Sequence, residues 1–541
     1  MEWATTEHLI LLALLVILLM ILLSWRFDNK NNTTFGAARW CTVWDLFKAK
    51  LFQRKGLYVG DWAGRLGLYY HGAHAVTFGV TGSGKGVSAI VPNMLEQRFM
   101  FVVDPGGENT AIASKTWQAR GIEFKCINPF GMLDAEPTAL PAHGFNPLAV
   151  LNPDSRSFAA DALLFAEMLT PRTGEERGGA AYFKDAATAA KRAMILHIVT
   201  REPDERRNIA TLYEYAYSDA AGWAALIAAM KANPVCGNLV ALEANKLERT
   251  EAQAPEEFSA VMSTIQQDLD FLADPMVREH FSRDDVDFSI LKGIENPNGG
   301  IITVVIPLEY IESHGAITRL AMACAVLSLQ REPYAARPVT FLIDEAASLG
   351  TIKRLPNWLA TLRKYNVRFW TIWQNIGQVE HLYGRNWQTI ISNCGLLQIL
   401  GVGDLQTAQY TSSMIGQCTV RTVTTNAKGE QSVSQTARPL LMPEELLRTD
   451  DGMQIVLIGT LWPAMLKKVS YWKQPRLAGR YHDNPYRDTP TPRHGALDGL
   501  ADLWGKFYYM LVWWMAPHPL AACIIVIPVV LGLLSVFGGG Q

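Results

Sequence analysis

The chain has 541 residues, with 49 Lys or Arg against 51 Asp or Glu, a formal charge of −2, and 49% apolar residues. That much apolar material closes a core, which excludes a disordered chain, and the near balance of charge excludes a polycation. Nucleic acid, if handled at all, must meet a local basic groove or channel. A prior of about 150 residues per domain allows three or four units.

Leu9–Trp25 is seventeen residues without a charge, about 25 Å as a helix. No Lys or Arg precedes it and no small-residue cleavage site follows, so it reads as an uncleaved anchor, residues 1–25, rather than a signal peptide. Arg26 and Lys30 follow directly. The positive-inside rule then places the N-terminus outside and the body in the cytoplasm. His71 and His74 read as a solvated strand-and-turn pair.

Seven short apolar runs bounded by turn residues follow in order: Ala75–Val80, Phe99–Val103, Gly300–Ile306, Val339–Ile343, Val367–Trp373, Leu396–Val402 and Met453–Ile458. Most do not alternate, as expected of parallel strands buried on both faces, and helical patterns such as Ala316–Gln330 and Lys353–Lys364 fall between them. The fold class is α/β. Residues 151–295 differ: they are rich in Ala, Leu, Glu, Lys and Arg, without a strand-like run, and predict an all-helical insertion. Pro171–Gly179 reads as a mobile loop within it. The flanking parts of the α/β body are 26–150 and 296–480. A proline-rich linker, 481–506, leads to a C-terminal membrane segment, 507–541, where Tyr508, Tyr509, Trp513 and Trp514 resemble an interfacial belt before Leu520–Phe537. Cys41, Cys126, Cys236, Cys324, Cys394, Cys418 and Cys523 show no CxxC spacing and read as buried thiols of a reducing compartment.

The first run leads into Gly79-Val-Thr81-Gly82-Ser83-Gly84-Lys85-Gly86-Val87. This is a G-x4-G-K phosphate loop ahead of a helix. Its glycines let backbone N–H groups turn in around phosphate oxygens, the helix start adds a positive dipole end, and Lys85 reaches the β- and γ-phosphates of ATP. The Ser or Thr that usually follows the lysine and binds Mg²⁺ is Gly86 here. The cation is left to water, to Ser83 or to an acidic partner. Ser88 would point elsewhere. That partner is Asp344 on the run Phe341-Leu-Ile-Asp344-Glu345, the Mg²⁺-side carboxylate, with Glu345 as the residue that polarises the attacking water. The doublet favours hydrolysis over simple binding. Gln374, ending the run Val367–Trp373, either positions water near the γ-phosphate or is satisfied by backbone. Arg363 is either a finger that reaches a neighbouring subunit's γ-phosphate or a solvated cation at a helix end. Phe101-Val-Val-Asp104-Pro-Gly-Gly-Glu108 reads as a structural turn.

Together these residues resemble the type IV secretion coupling proteins, the TraG-like conjugal DNA-transfer ATPases. The blocks that carry the resemblance are Phe35-Gly-Ala-Ala-Arg-Trp40, Leu68-Tyr-Tyr-His-Gly72, Thr81–Val87 with Val91-Pro-Asn93, Val103–Glu108, Phe145-Asn-Pro-Leu148, Leu342–Glu345 through Leu349-Gly350, Leu362-Arg-Lys-Tyr365, Gln374 and Asn393-Cys-Gly395. The resemblance implies a RecA-like P-loop NTPase domain with an inserted all-α domain that recognises substrates. It also implies a homo-oligomer, a hexamer around a channel, at the bacterial inner membrane. It implies coupling of relaxase-bound single-stranded DNA, or protein effectors, to the components of a type IV secretion channel. Under it, Arg363 and Gln374 look like the family's trans-acting arginine and γ-phosphate-sensing glutamine. A receptor for protein effectors alone, in which ATP binding drives assembly, is the alternative. The family usually carries two N-terminal spans, whereas this chain shows one apolar segment at each end.

Overall fold

The computed structural model describes residues 33–492, except 65, 173–177 and 426–430. The two expected membrane segments lie outside the described residues. Among the described residues no helix is long and apolar enough to cross a membrane.

The body is built on an eleven-stranded mixed sheet. Its strands in chain order are β1 Leu57–Trp62, β2 Leu66–Tyr70, β3 His74–Gly79, β4 Phe99–Val103, β5 Glu123–Ile127, β6 Gly300–Val304, β7 Val339–Ile343, β8 Val367–Trp373 and β9 Cys394–Gly401. A separate hairpin, β10 Gln417–Thr425 and β11 Gln431–Pro439, follows, and then β12 Met453–Ile458 and β13 Ala464–Lys467. The spatial order in the sheet is β2-β1-β13-β12-β9-β3-β8-β7-β4-β6-β5. From β9 to β5 every pairing is parallel, and from β12 outward every pairing is antiparallel.

The parallel strands read as unbroken apolar runs because both of their faces are covered. Phe99, Phe101 and Val103 of β4 join one core, while Met100 and Val102 join the other. β7 and β8 divide in the same way, with Phe341 and Phe369 on the first face and Leu342 and Trp370 on the second. On the first face Phe101, Phe341 and Phe369 stack across three strands, with centroids 5.1 and 4.8 Å apart. Such cross-strand aromatic pairs fix register. Each of the seven apolar runs holds a strand. β12, however, runs antiparallel, which an apolar run cannot signal.

The chain between β5 and β6 is helical, including Phe158–Met168, Gly179–Arg201, Ile209–Ala216, Ala220–Lys231, Val235–Gln253 and Pro255–Asp268. Of the expected loop Pro171–Gly179, residues 173–177 are not described, and Gly179 opens the longest of these helices. Residues 481–492 are no free linker. His482 N–H donates to Ile112 O at 3.0 Å and the Tyr486 hydroxyl to Gly106 O at 2.6 Å, so this stretch lies on the helix Glu108–Ala119 and the turn before it.

Two further expectations are corrected. His74 is buried at 2% exposure, and its Nδ1 accepts the Phe369 N–H at 3.0 Å. Only His71 is exposed, with Nε2 3.0 Å from Lys50 O. Cys236 is exposed, while Cys41, Cys126 and Cys324 are buried.

A candidate nucleotide site at the strand tips

Parallel strands in register deliver their C-terminal residues to one edge. Phe78 pairs with Trp373, and Val103 with Ile343. The residues that follow them therefore converge: Gly79 and the loop after β3, Gln374 after β8, Asp344 and Glu345 after β7, and Asp104 after β4. β8 separates the phosphate-loop strand from β7, which puts Gln374 between Lys85 and the acidic doublet.

The loop turns through two left-handed glycines, Gly82 (φ 81°) and Gly84 (φ 85°), which side-chain-bearing residues adopt only with strain. The helix starts at Lys85 with a wide turn, in which Val91 N–H reaches Gly86 O, five residues back, and then continues as Val91–Glu96. The wide turn lets the helix carry Pro92, which lacks the N–H an ordinary turn requires. Asn93 anchors it from behind. Its side chain accepts Tyr58 N–H at 2.8 Å and donates to Tyr58 O and Ala89 O. Ser88 donates to Gly84 O at 2.7 Å, away from the loop mouth. Ser83 also turns away: a Cβ on Gly79 would stand 2.6 Å from its Oγ, so the hydroxyl lies back against the strand. Lys468 holds the loop to β9, donating to Ser83 O at 2.9 Å and Leu400 O at 2.8 Å.

Lys85 Nζ lies 3.2 Å from Glu345 Oε2, and Gln374 Nε2 donates to Glu345 Oε1. Lysine, glutamate and glutamine from three separated segments thus form one chain of contacts. Glu345 sits at φ 52°, ψ 52°, a left-handed conformation that is costly for a residue with a side chain and is typical of functional sites. Its N–H donates to Asp344 Oδ1 at 3.0 Å, and its carbonyl accepts from Ser348 Oγ at 2.7 Å. Burial and then the nearby charge of Asp104 push the Asp344 carboxyl up to about 7, against the pull of Lys85. Burial raises Asp104 as well, against hydrogen bonds from Thr110 and Asn109. Asp344 and Glu345 share one ammonium, Lys85, and Asp104 adds a third carboxyl group that acts on Asp344. An oxygen-rich donor set with surplus negative charge suits a hard divalent cation such as Mg²⁺.

Beside the loop lies a cavity of about 220 Å³, lined in part by Thr81, Gly82, Val402, Leu447 and Asp450. Arg363 stands elsewhere. It occupies the turn Leu362–Tyr365 before β8, exposed, at the opposite end of the strand from Gln374. Seven strand residues put it about 20 Å from that edge, so it does not join this chain's own cluster. Lys468 and Asp104 escape sequence reasoning. Lys468 has no motif. Asp104 ends a run, Phe-Val-Val-Asp, with the same pattern as Phe-Leu-Ile-Asp before Glu345, and that parallel is the available signal.

The family model for type IV secretory system conjugative DNA transfer matches residues 28–490. Protein VirD4 of Agrobacterium fabrum is 26% identical over 491 residues, covering 86% of this chain and 69% of that protein. The conjugal transfer protein TraG of Escherichia coli is 23% identical over 529 residues, covering 84% and 79%. The plasmid coupling protein TrwB, solved with the non-hydrolysable ATP analogue ADPNP, superposes with a TM-score of 0.58 at 19% identity over 80% of this chain and 93% of that chain. This chain therefore has the TrwB fold, an α/β, RecA-like architecture on a large mixed sheet, and it belongs to the type IV secretory system conjugative DNA transfer family.

Proposed function

We infer that this chain is an inner-membrane ATPase that couples substrates to a type IV secretion channel, with hydrolysis driving their delivery or translocation. The observation that carries this reading is the convergence of Lys85, Glu345, Gln374 and Asp344 on one edge of the sheet, in a chain of this family. TrwB has been solved with ADPNP and with ADP and Mg²⁺, and those ligands support the same reading here.

In this reading the loop amides from Gly79 to Val87 cradle the phosphates of ATP. Lys85 moves from Glu345 to the β- and γ-phosphates, a charge-for-charge exchange that leaves Glu345 free to orient water. Asp344 holds Mg²⁺, which when bound neutralises charge developing on the phosphate oxygens. Gln374 donates to Glu345 and keeps its carboxylate on the attacking side. The cavity beside Thr81 and Gly82 accepts the base and ribose. Arg363, about 20 Å from its own chain's site, serves a neighbouring subunit in a ring, taken as a hexamer.

The segment directly after Glu345 is tied to the helical insertion, the proposed substrate-recognition domain. Arg319 donates to Met168 O at 2.8 Å and to Leu349 O at 3.2 Å, and Arg354 pairs with Glu167 at 2.5 Å. These contacts give the nucleotide state a route to the helices.

A second reading, in which protein effectors rather than DNA are the cargo, draws on charge. Residues 151–295 carry 24 acidic against 15 basic residues, a formal −9, while the remaining residues carry 27 against 34, a formal +7. An acidic recognition domain attracts basic polypeptide and repels DNA, whereas a basic motor body suits a phosphate backbone. The test is ATP turnover by the full-length protein in detergent, alone, with single-stranded DNA, and with a basic peptide, and with Lys85→Ala as control. Lys85-dependent turnover raised by DNA supports the DNA-coupling motor. A rise with the basic peptide alone moves the cargo to protein effectors. Turnover that survives Lys85→Ala contradicts the site.

A further inference from the structure

The loop lacks the hydroxyl that should follow its lysine, and the structure places another side-chain oxygen there. A Cβ built on Gly86 would stand 3.2 Å from Oδ1 of Asn109. Asn109 is buried at 7% exposure, on the second residue of the helix Glu108–Ala119. Its Nδ2 donates to Asp104 Oδ1 at 2.8 Å. Asp104 is itself fixed, since Oδ2 accepts Thr110 N–H at 2.6 Å. The amide is therefore tethered by its nitrogen, and this turns the carbonyl oxygen toward Gly86. Of the two hydroxyls nearest in sequence, Ser88 is spent on Gly84 O, and Ser83, which makes no hydrogen bond of its own, is packed back against Gly79 rather than beside Gly86.

We propose that Asn109 replaces the missing loop hydroxyl, supplying from a different helix the side-chain oxygen that faces Mg²⁺, with Asp104 as the residue that positions it. A hard cation takes an amide carbonyl as readily as a hydroxyl. Glycine at 86 then leaves room for that oxygen. A Cβ there would stand 3.2 Å from Oδ1 and push on the tethered Asn109 by a few tenths of an ångström, so the two positions form a pair, Gly with Asn, in the place of a single Ser. Asp104 acquires a role in the same step: it is the anchor that fixes the orientation of Asn109, and a structural turn alone needs no buried carboxylate beside Asp344. The inference rests on the nucleotide reading above and assigns it a further Mg²⁺-facing residue.

The test uses full-length protein in detergent carrying Glu345→Gln, and measures the affinity for a fluorescent ATP analogue in Mg²⁺ and in EDTA. Asn109→Ala is expected to weaken binding about tenfold in Mg²⁺, the scale of loss when a metal site's supporting residues are removed, and to leave the affinity in EDTA unchanged. Gly86→Ser alone is expected to weaken binding in Mg²⁺, because the new side chain meets Asn109. Gly86→Ser combined with Asn109→Ala is expected to recover the Mg²⁺-dependent part, which a purely structural role for Asn109 would not allow. Thermal unfolding of each variant without nucleotide reports folding, and Asn109→Ser, polar but too short to reach, replaces Asn109→Ala if that chain does not fold. Equal losses in both buffers, or no loss, overturn the inference while leaving the site intact. Analogue binding that is unaffected by Lys85→Ala overturns the nucleotide reading and this inference together.

Discussion

Asp268 is buried and Asp344 half-buried, and their surroundings differ in charge. Asp268, in the helical insertion, meets Lys184 Nζ at 2.8 Å and Lys191 Nζ at 2.5 Å, with the buried Arg319 nearby. Burial brings Lys191 down to about 8 even beside that carboxylate. Asp344, at the strand tips, feels Asp104 before any cation and shares one ammonium, Lys85, which is already paired with Glu345. In the first cluster a single carboxylate faces more than enough protein cations, so it needs no further partner, and it holds helices together. The second has surplus negative charge in a half-buried site at the strand tips, and such a surplus is tolerated where a cation is to be bound. The sign of the local imbalance separates a structural cluster from a site more sharply than burial does.

Four tests sharpen or break this contrast. The largest effect belongs to the acid-rich cluster at the strand tips. Lys85→Ala and Glu345→Gln should each lower ATP turnover by roughly a thousandfold or more, while Glu345→Gln retains ATP binding, as read by phosphate release and by a fluorescent analogue. At the cation-rich cluster, Asp268→Ala should cost about 3–5 kcal/mol of stability by stranding Lys191. Asp268→Leu with Lys191→Met should restore most of it, and turnover per folded molecule should stay level. A large fall in turnover of the folded double variant would erase the distinction. Next comes Lys468→Met, which removes the clamp on Ser83 O and Leu400 O. It should raise the KM for ATP about tenfold, equivalent to one charge-assisted hydrogen bond, with little change in unfolding temperature.

The smallest effect is one of pH. Burial lowers His74 and His280 to about 4, from an ordinary value near 6.5. A histidine kept neutral in the fold but protonated once unfolded destabilises the fold as pH falls. The loss begins below about 6.5 and grows until about 4. At pH 5 it should amount to roughly 1–2 kcal/mol for each. For His74 the mechanism is local, because a protonated ring cannot accept the Phe369 N–H. Thermal unfolding at pH 7.5 and pH 5 checks this, and His74→Gln should flatten its share.

How far the sequence could be read follows the same physics. The parallel centre of the sheet was legible because strands covered on both faces keep unbroken apolar runs, and the residues ending those runs had to converge. β5 was not, since Glu-Phe-Lys at an edge position mixes polar and apolar residues. β1, β2 and β13 lie on the antiparallel margin, where burial is uneven and Gly60 interrupts the pairing. The hairpin of β10 and β11 is mostly exposed Thr, Ser, Gln and Val, so no buried face marks it. At the site, Lys85, Asp344, Glu345 and Gln374 were readable from motif and position. Asp104 and Asn109 were not, because a turn of Pro and Gly offers a sufficient structural reason for itself, and only the alignment of Val103 with Ile343 brings its acid beside Asp344.

The central claim, that this edge binds ATP with Mg²⁺, is tested most directly by a cryo-electron microscopy structure of the full-length Glu345→Gln protein in detergent with ATP and Mg²⁺. The account predicts Lys85 on the β- and γ-phosphates, released from residue 345, the cation between the phosphates and Asp344, and Asn109 Oδ1 on its protein side. Phosphate density away from the loop 79–87, or a cation with no contact to Asp344, would contradict it.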